Sequence, residues 1–388
     1  MKILLLAGEE SGVLYAERIR AAVLERCPDA EIRGYGDYGF KVEDLAVMGV
    51  GQVLRKIFYF LRVKRTMERA IAEWRPDVVC TVDYPGMNLK LAAYAKSWSI
   101  RTVHVVCPQV WAWKRGRIPK IEAALDRLCC FFPFEPELFR PGFAEFVGHP
   151  LADEFASEVK VKGEGERRKE KVLAVLPGSR LGEIEKHVPI LLEVVRRLDI
   201  EDDCQRPRSE DAAGTVMASL RIVIPAANER AYRAISKAIE QSEQSEQSEQ
   251  SNNQRILVQR GGARELLRQA DAAVVASGTA TLEAALAGCP TVLVYKVGWL
   301  FAFLARRFIK GVKHIGLANI IAEKAGTDCP MPELLQEDFT VENVLGRLTP
   351  WLTDEAANAT ARQTLADTMK LLKSDGGALA RIAGSVLG

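Results

Sequence analysis

Long apolar runs are missing from this 388-residue sequence. Nowhere do about 18 uncharged apolar residues follow one another, so we expect no helix that spans a bilayer. The first apolar run, Ile3–Leu6, has a single cation, Lys2, before it and is shorter than the core of a signal peptide. We therefore interpret it as a first strand rather than a targeting segment.

A strong net charge is also missing. The chain has 53 Lys and Arg against 51 Asp and Glu, a formal net charge of +2. This balance excludes a polycation built for nucleic acid, so we expect no nucleic-acid partner, and any attraction to anions must come from local patches.

Two sequence signatures are absent as well, the CxxC spacing of metal and redox sites and the GxxxxGK[ST] loop of phosphate sites. The eight cysteines show no CxxC spacing, and Cys129 and Cys130 would face opposite ways in a strand. We predict reduced, buried thiols of a cytosolic protein. No GxxxxGK[ST] is present, which argues against an ATPase.

Short β-rich runs alternate with amphipathic helical stretches along most of the chain. This alternation predicts an α/β fold with parallel sheets covered on both faces. The length favours two domains, and the charge-dense segment 158–171 is the candidate linker. Predicted strands are Ile3–Leu6, Val78–Val82, Thr102–Val106, Arg127–Phe132, Val172–Leu176, Arg221–Ile224, Ala272–Ala276 and Thr291–Tyr295.

The predicted domains are 1–165 and 169–350, facing each other across a cleft. Two polar segments of the second domain, 200–214 and 240–253, are interpreted as surface extensions without chemistry, the latter disordered or an extended helix tip. Helical patterns at about 354–388 predict a C-terminal tail that packs back on the first domain.

Two turns of the first domain carry carboxylates beyond strand ends. Glu9 lies in Ala7–Gly12, a turn that lacks the complete G-x-G-x-x-G spacing and whose two glutamates would repel phosphate, which favours hydroxyl recognition. Asp83 follows a strand and precedes a Tyr-Pro-Gly turn, where a general base would be mounted. The alternatives are a helix N-terminal charge for Glu9 and an ordinary turn or cap residue for Asp83.

Two turns of the second domain suit an anion. Leu176–Glu183 contains Pro-Gly-Ser and Arg180, whose fork fits phosphate oxygens, and Ala276–Glu283 places small hydroxylated residues around a glycine before a helix. Glu283 could take the two hydroxyls of a ribose. Together the turns favour a nucleotide diphosphate.

Three segments combine aromatic residues with cations. They are Leu54–Arg65, Trp299–Lys310 and the stretch with Trp111, Trp113, Lys114, Arg115 and Arg117. Each could be an ordinary core helix, or for the last an edge strand with a solvated tail. Their repetition in one nearly neutral chain favours an anionic membrane surface or a lipid ligand.

Taken in order, the motifs resemble those of the lipid-A-disaccharide synthases over nearly the whole chain. The matching segments are Ala7–Gly12, Glu43–Gly49, Asp83–Asn88, Pro108–Trp113, Phe132–Glu135, Val147–Pro150, Leu176–Arg180 and Ala276–Ala280.

The resemblance implies a GT-B glycosyltransferase with two Rossmann-like domains and the nucleotide on the second. The implied reaction transfers diacylglucosamine from UDP-2,3-diacylglucosamine to the 6-hydroxyl of 2,3-diacylglucosamine 1-phosphate, giving a β-1,6 disaccharide and UDP with inversion. No metal or other cofactor is expected. The implied location is cytoplasmic, at the inner face of the inner membrane, and a homo-oligomer is compatible with it.

The resemblance also implies roles for single residues. Asp83 would be the base and Glu9 a supporting residue, while Glu283 would hold the ribose and Asn319 would belong to the nucleotide site. The leaving pyrophosphate would be neutralised by the first turn (Gly178, Ser179, Arg180) and the second (Ser277, Gly278, Thr279, Ala280, Thr281). Trp111 and Trp113 would pack or anchor at the membrane interface, and Lys114, Arg115 and Arg117 would attract lipid phosphate.

The sequence departs from the family pattern at two places. Val13 stands where the family usually has aspartate, and the family's Gly-x-Gly-Gly reads Gly34-Tyr-Gly-Asp37, followed by a shortened loop. Two other functions therefore remain open. One is another UDP-sugar enzyme, a transferase or a 2-epimerase, and the other is a catalytically degenerate membrane-associated lipid-binding protein.

Overall fold

The computed structural model describes residues 1–41, 50–158, 170–205, 219–245, 256–298 and 312–388. These residues form two compact units. Unit 1 comprises Met1–Glu154 and Leu371–Gly388, and unit 2 comprises Phe155–Lys370. Each unit is built around one six-stranded sheet whose described strand pairs are all parallel.

The sheet of unit 1 has the order β2-β1-β3-β4-β5-β6. Its central strands are buried on both faces, and all five side chains of Val78–Val82 are buried, as a doubly covered parallel sheet requires. The strands are β1 Lys2–Ala7, β2 Glu31–Arg33, β3 Val78–Val82, β4 Arg101–Val105, β5 Arg127–Cys130 and β6 Ala144–Phe146.

Helices cover the two faces of this sheet with separate apolar cores. One core joins the sheet to α1 and the C-terminal α13, and the other joins it to α2 and α3. The helices of unit 1 are α1 Glu10–Arg26, α2 Val50–Trp74, α3 Pro85–Ser97, α4 Ile118–Ala124, α5 Pro150–Glu158, which extends past the unit boundary, and α13 Ala378–Leu387.

Polar contacts fix both ends of α13 in unit 1. The Ala378 amide donates to a carboxylate oxygen of Asp153 at 2.6 Å, and the Arg101 guanidinium donates to the carbonyls of Ser385 at 2.8 Å and Val386 at 3.1 Å. A carboxylate at the amino end and a cation at the carboxyl end both suit the helix dipole. The sequence-based prediction that the C-terminal helix packs on the first domain is confirmed.

The sheet of unit 2 has the order β12-β11-β10-β7-β8-β9. Its strands are β7 Glu170–Leu176, β8 Ser219–Ala226, β9 Ile256–Arg260, β10 Ala272–Ala276, β11 Thr291–Tyr295 and β12 Glu333–Leu335. Its helices beyond α5 are α6 Leu181–Gln205, α7 Glu229–Ser245, α8 Ala263–Gln269, α9 Thr279–Leu286, α10 Leu317–Ala325, α11 Val341–Thr353 and α12 Glu355–Lys370.

All eight predicted strands are present, and the described residues contain four further strands that the sequence analysis did not predict. Three of these, β2, β6 and β12, have only three residues each, too few for a hydrophobic pattern. The predicted end of β4 was one residue too long, because Val106 has a φ of 76° and turns the chain out of the strand.

The tail and the extensions differ in part from the predictions. Only 371–388 of the predicted tail 354–388 belongs to unit 1, because α12 packs in unit 2, where Arg362 donates to the carbonyls of Ala270 and Gly288, each at 2.8 Å. The predicted extensions begin as helix, since α6 reaches Gln205 and α7 reaches Ser245. The remainder of both extensions, most of the linker 158–171, and the segments Glu43–Gly49 and Trp299–Lys310 lie outside the described residues.

The cysteines whose side chains the structure describes are free, as predicted. The sequence analysis overstated their burial, because Cys329 is exposed and Cys27 is half-buried. Among the described helices, none is both long enough and apolar enough to cross a membrane.

Candidate functional site

Glu9 and Asp83 follow the two strands at the topological switch point of unit 1. β1 and β3 are neighbours, with Ala7 opposite Val82 in the register, yet β1 continues into α1 on one face and β3 into α3 on the other. Ligands of open α/β sheets bind in the crevice that such a divergence creates at the carboxyl edge. The structure therefore brings the two predicted carboxylates to the same part of unit 1.

The turn that carries Asp83 has a strained backbone held by several contacts. Asp83 and Tyr84 have φ of 48° and 49°, values that non-glycine residues seldom adopt. The buried Asn88 amide donates to the carbonyls of Asp83 at 2.7 Å and Val82 at 3.1 Å, and accepts from the Tyr35 hydroxyl at 2.9 Å. Strain of this kind persists where surrounding contacts enforce it, and it is concentrated at functional sites.

Gly8 allows the same turn to approach β1. A Cβ at this position would lie 2.3 Å from the Tyr84 ring, so no larger residue fits without a shift. Sequence reasoning included Asn88 in a motif but gave it no role. An amide near the start of a helix that follows a strand was the only available signal, and its Tyr35 partner lies far away in sequence.

Both carboxylates have raised pKa values. Burial raises the pKa of Asp83, partly offset by a hydrogen bond from the Tyr84 backbone. Burial also raises the pKa of Glu9, and the negative charge of Asp83 raises it further. A carboxylate with a raised pKa is a stronger base, which suits Asp83 for accepting a proton from a substrate hydroxyl.

The segment after β4 is a loop, so the edge-strand interpretation of its two tryptophans was wrong. Trp111 is half-buried; its indole N–H donates to Glu135 at 3.1 Å and its ring packs edge-on against Phe134. Trp113 is 43% exposed, with the Lys114 ammonium 4.3 Å from its ring centroid. The chain turns at this point, with the Trp113 amide donating to the Gln109 carbonyl at 3.2 Å, so one indole is packed and the other largely exposed.

Lys114 ends this loop with a φ of 55°, and Arg115–Arg117 form a short 3-10 helix in which Arg115 is exposed and Arg117 is half-buried. The loop follows β4, the strand next to the one that ends at Asp83. The predicted roles of these cations toward an acceptor stay predictions.

Glu135 holds the loop that carries Trp111 by a hydrogen bond. Its side chain is 1% exposed, and besides Trp111 it accepts from the Phe132 backbone at 3.1 Å. Burial raises its pKa to about 8, although these hydrogen bonds oppose the rise. Cys107, Cys130 and Glu135 bring potential metal-ligand atoms within 4.8 Å of one another. The Cys107 thiol already donates to the Pro108 carbonyl at 3.3 Å, so a buried hydrogen-bond network accounts for this cluster.

The two predicted nucleotide turns meet at the switch point of unit 2. They follow β7 and β10, which are adjacent strands with Leu176 opposite Val275. β7 is followed in the sheet by β8 and β9 on one side and by β10, β11 and β12 on the other, so the strand order reverses there. This edge is the expected place for a nucleotide in an open parallel sheet.

In the first turn, Gly178 has a φ of 114° and lies against the buried carboxylate of Glu183. A Cβ on Gly178 would lie 2.5 Å from a Glu183 oxygen, so the turn requires glycine. Ser179 is exposed in the same turn. The Arg180 side chain is 72% exposed, and its guanidinium donates to Glu183 at 2.9 Å. Most of the guanidinium surface is thus accessible to an anion.

His187 ties the first turn to the end of β11, and sequence reasoning missed it. The fully buried ring donates from Nδ1 to the Pro177 carbonyl at 2.7 Å and accepts at Nε2 from the Lys296 amide at 2.9 Å. Both bonds together require the neutral imidazole, and burial lowers its pKa accordingly. A lone histidine in a helix gives no sequence signal for this role.

The second turn opens α9. Gly278 and Thr279 are exposed, Ser277 and Ala280 are half-buried, and the Thr281 hydroxyl donates to the Gly278 carbonyl at 2.7 Å, which fixes the first helical turn. Backbone amides at such an eight-residue helix start suit a phosphate. Glu283 forms an ion pair with Arg264 at 3.1 Å and stays partly exposed, so ribose recognition by this residue stays a prediction.

The Asn319 side chain makes hydrogen bonds within unit 2. Its amide donates to the Met331 carbonyl at 2.6 Å and to Glu333 at 2.9 Å, and it accepts from the Met331 amide at 3.0 Å. The side chain is 1% exposed. Its visible contacts hold the start of α10 against the segment that enters β12, and a nucleotide contact stays a prediction.

Comparisons with known proteins identify the family of the chain. A family model described as lipid-A-disaccharide synthetase matches residues 3–207 and 216–379. The lipid-A-disaccharide synthase of Neisseria meningitidis serogroup A is 35% identical over 383 residues, covering 95% of this chain and 93% of that protein. That of Myxococcus xanthus is 34% identical over 401 residues, covering 100% and 97%.

A solved structure supports the fold. The structure of UDP-GlcNAc 2-epimerase from Neisseria meningitidis bound to UDP-GlcNAc matches with a TM-score of 0.60 at 12% identity, covering 100% of this chain and 98% of that one. At this identity the likeness concerns the fold alone, and it confirms the predicted GT-B architecture. The chain is a glycosyltransferase of lipid A biosynthesis, and by its family match and relatives it belongs to the lipid-A-disaccharide synthetase family.

Proposed function

We propose that this enzyme condenses UDP-2,3-diacylglucosamine with 2,3-diacylglucosamine 1-phosphate by a single inverting displacement. The acceptor 6-hydroxyl gives its proton to Asp83 as its oxygen attacks the donor anomeric carbon. The bond from that carbon to the UDP oxygen breaks, and UDP leaves with the electron pair. An α-linked donor thereby becomes a β-1,6 product, and one base suffices.

The observation that carries this proposal is the pairing of Glu9 and Asp83 at the switch point of unit 1. Asp83 has a raised pKa and a fixed backbone, as a general base requires. Glu9, with its own raised pKa, accepts a hydrogen bond from a sugar or acceptor hydroxyl. A hydroxylated ligand fits this pair better than a phosphate, which two carboxylates would repel.

The leaving UDP is bound by unit 2 in this proposal. The pyrophosphate is neutralised by Arg180 and by the backbone amides of the Gly178–Arg180 and Ser277–Thr281 turns. Glu283 leaves its ion pair with Arg264 and accepts hydrogen bonds from the ribose hydroxyls instead. No metal is required, because a guanidinium and helix-start amides supply the positive charge.

We also propose that unit 1 binds the cytoplasmic face of an anionic membrane. The described part of α2 exposes Phe58 by 80%, Ile57 by 46% and Leu61 by 44%, and exposed Arg62 and Arg65 follow on the same helix. An exposed apolar face with flanking cations is typical of helices that lie in a membrane interface. Trp113, Lys114 and Arg115 offer the same combination on a second element.

The decisive experiment is mass spectrometry of the product from the two proposed substrates. We expect a β-1,6-linked disaccharide 1-phosphate and acceptor-dependent release of UDP. UDP release without acceptor would favour another UDP-sugar enzyme, and no acceptor-dependent UDP would favour a lipid-binding protein without catalysis. Membrane binding is tested by sedimentation with phosphatidylglycerol vesicles, where Phe58→Glu should reduce binding and Leu14→Glu, at an exposed position of α1, should not.

A further inference from the structure

A small pocket opens next to Glu9 at the carboxyl edge of β1 and β2. It lies between α1 and the loop that follows β2, and it has a volume of about 150 Å³. Val13, one turn into α1, lines it, and the Val13 amide donates to the Glu9 carbonyl at 2.9 Å. Val13 thus places one wall of the pocket a single helical turn from Glu9, and all of the lining residues belong to unit 1.

The interior of this pocket is apolar. Leu5 and Ala7 of β1 are 8% and 6% exposed, whereas Ile3 on the same face is 1% exposed and Leu4 and Leu6 on the other face are fully buried. This difference arises because no protein side chain fills the space above the first pair. The apolar lining residues are Leu5, Ala7, Val13, Ala16 and Ile32.

The loop Gly34–Gly36 forms one wall and is held firmly in place. The Gly34 amide donates to the Asp37 carboxylate at 2.7 Å, and a Cβ on Gly34 would lie 3.0 Å from the Leu5 carbonyl. This is the site where the family's Gly-x-Gly-Gly reads Gly34-Tyr-Gly-Asp37. Asp37, which holds this wall, and Val13, which also lines the pocket, are the two departures from the family pattern.

The rim of the pocket is charged, unlike its interior. Glu17 and Arg20 are exposed on α1, and Arg33 on β2 is half-buried and paired with Glu31. Such a boundary admits an apolar chain and leaves a charged or polar headgroup outside. Water alone is a poor occupant, because it would find few hydrogen-bond partners on the aliphatic wall.

We propose that this pocket receives a segment of one acyl chain of the acceptor, and that Val13 sets how long a segment fits. The proposal rests on the proposed function, whose acceptor carries two acyl chains close to the hydroxyl that reacts near Asp83. An aspartate at position 13 would place a charge on the pocket wall, whereas valine completes the apolar lining. The departure at Val13 is in this view a determinant of acyl-chain specificity.

The volume limits the size of the bound segment. An apolar cavity of about 150 Å³ accommodates benzene, so the pocket takes about six carbon atoms. Each methylene that is buried there should raise kcat/KM about fourfold, which corresponds to about 0.8 kcal/mol. The benefit should stop once the pocket is full.

The test compares Val13→Phe, Val13→Ala and the control Leu14→Phe on a series of acceptors of increasing acyl-chain length. Leu14 neighbours Val13 on α1 but is 57% exposed. We expect Val13→Phe to lower kcat/KM more than tenfold on the best wild-type acceptor and less than twofold on the shortest. Val13→Ala should move the preferred length upward by one or two carbons, and Leu14→Phe should leave the profile unchanged.

Equal loss on all chain lengths, or no change with Val13→Phe, would overturn the proposal. Circular dichroism of each variant monitors folding, and if Val13→Phe does not fold, an unchanged optimum in Val13→Ala has the same consequence. A wild-type enzyme that forms no disaccharide from any acceptor would refute the proposed function instead. Disaccharide formation with an unaltered chain-length profile in both variants would refute the pocket alone.

Discussion

Asp83→Asn should abolish most of the turnover while leaving the protein folded. Asparagine tolerates the left-handed backbone at this position, where φ is 48°. The contacts that hold the turn involve the Asp83 backbone, namely its amide to the Val105 carbonyl at 2.9 Å and its carbonyl to Asn88 at 2.7 Å. The substitution therefore removes the proton acceptor and keeps the geometry.

The expected loss in kcat is about 10²–10⁴-fold, or about 3–5 kcal/mol, which is the usual contribution of a general base. UDP affinity should be unchanged, because the nucleotide turns belong to unit 2. In the wild type, kcat should rise with pH through a pKa above the ordinary aspartate range, since burial raises the pKa of Asp83 and only the ionised carboxylate accepts a proton. The mutant should lack this rise.

The assay measures acceptor-dependent UDP release and, separately, UDP binding by calorimetry. Asp77→Asn is the matched control, because Asp77 lies just before the opposite end of β3 and accepts a hydrogen bond from the Lys2 amide at 2.7 Å. Asp77→Asn should retain kcat within about twofold, as expected for a surface position. If Asp83→Asn kept more than a tenth of kcat, or if both variants lost equal activity, Asp83 would not be the base.

Three further outcomes follow from the remaining contacts. Arg180→Ala should weaken UDP binding about 10–100-fold, which is the usual contribution of a hydrogen bond to a charged group. The control Arg196→Ala, further along α6, should bind UDP as the wild type does, and equal UDP affinities of the two variants would contradict the role of Arg180. Because burial raises the pKa of Glu135 to about 8, the folded state holds its proton where the unfolded state has lost it, so the free energy of unfolding should fall by about 1.4 kcal/mol per pH unit from about pH 4.5 to 8. The free energy of unfolding of Glu135→Gln, measured by urea titration at several pH values, should lack this slope. If it changed with pH in parallel with that of the wild type, Glu135 would not be the source of the slope. His187→Ala should destabilise by about 2–4 kcal/mol, because it leaves the Pro177 carbonyl and the Lys296 amide without their buried partner. The neutral ring contributes its full stability above the ordinary histidine pKa, and this contribution is lost as pH falls toward the lowered pKa of His187 in the folded state. If the free energy of unfolding of His187→Ala depended on acid pH as the wild type does, this role of His187 would be contradicted.

The sequence predicted the strands and strand-end turns well because both depend on local chemistry. Runs such as Val78–Val82 and Ala272–Ala276 are β-branched or small and apolar throughout, which distinguishes a doubly covered strand from a helix face. Parallel strands place their carboxyl ends at one edge, so Glu9 and Asp83 could be assigned to a common region without knowledge of the strand order.

The contacts that hold these turns could not be predicted in the same way. Asn88 meets Tyr35 across 53 positions, and His187 meets Lys296 across 109. The Trp111 indole N–H donates a hydrogen bond to the buried Glu135, and nothing near position 111 in the sequence indicates that partner. Asn319 also bonds within the fold, to Met331 twelve positions away, a contact that the resemblance did not indicate.

The anchoring of α13 in unit 1 has a consequence for the order in which the chain acquires its structure during synthesis. Unit 2 is one continuous segment, Phe155–Lys370, whereas unit 1 needs Ile382, Ala383 and Val386 to complete the core on one face of its sheet. The strands and α1 of unit 1 must therefore wait for α13, which is synthesised after the whole of unit 2. Unit 2 can fold while the sheet of unit 1 still exposes part of an apolar face, and such exposed surface is prone to aggregation until α13 covers it.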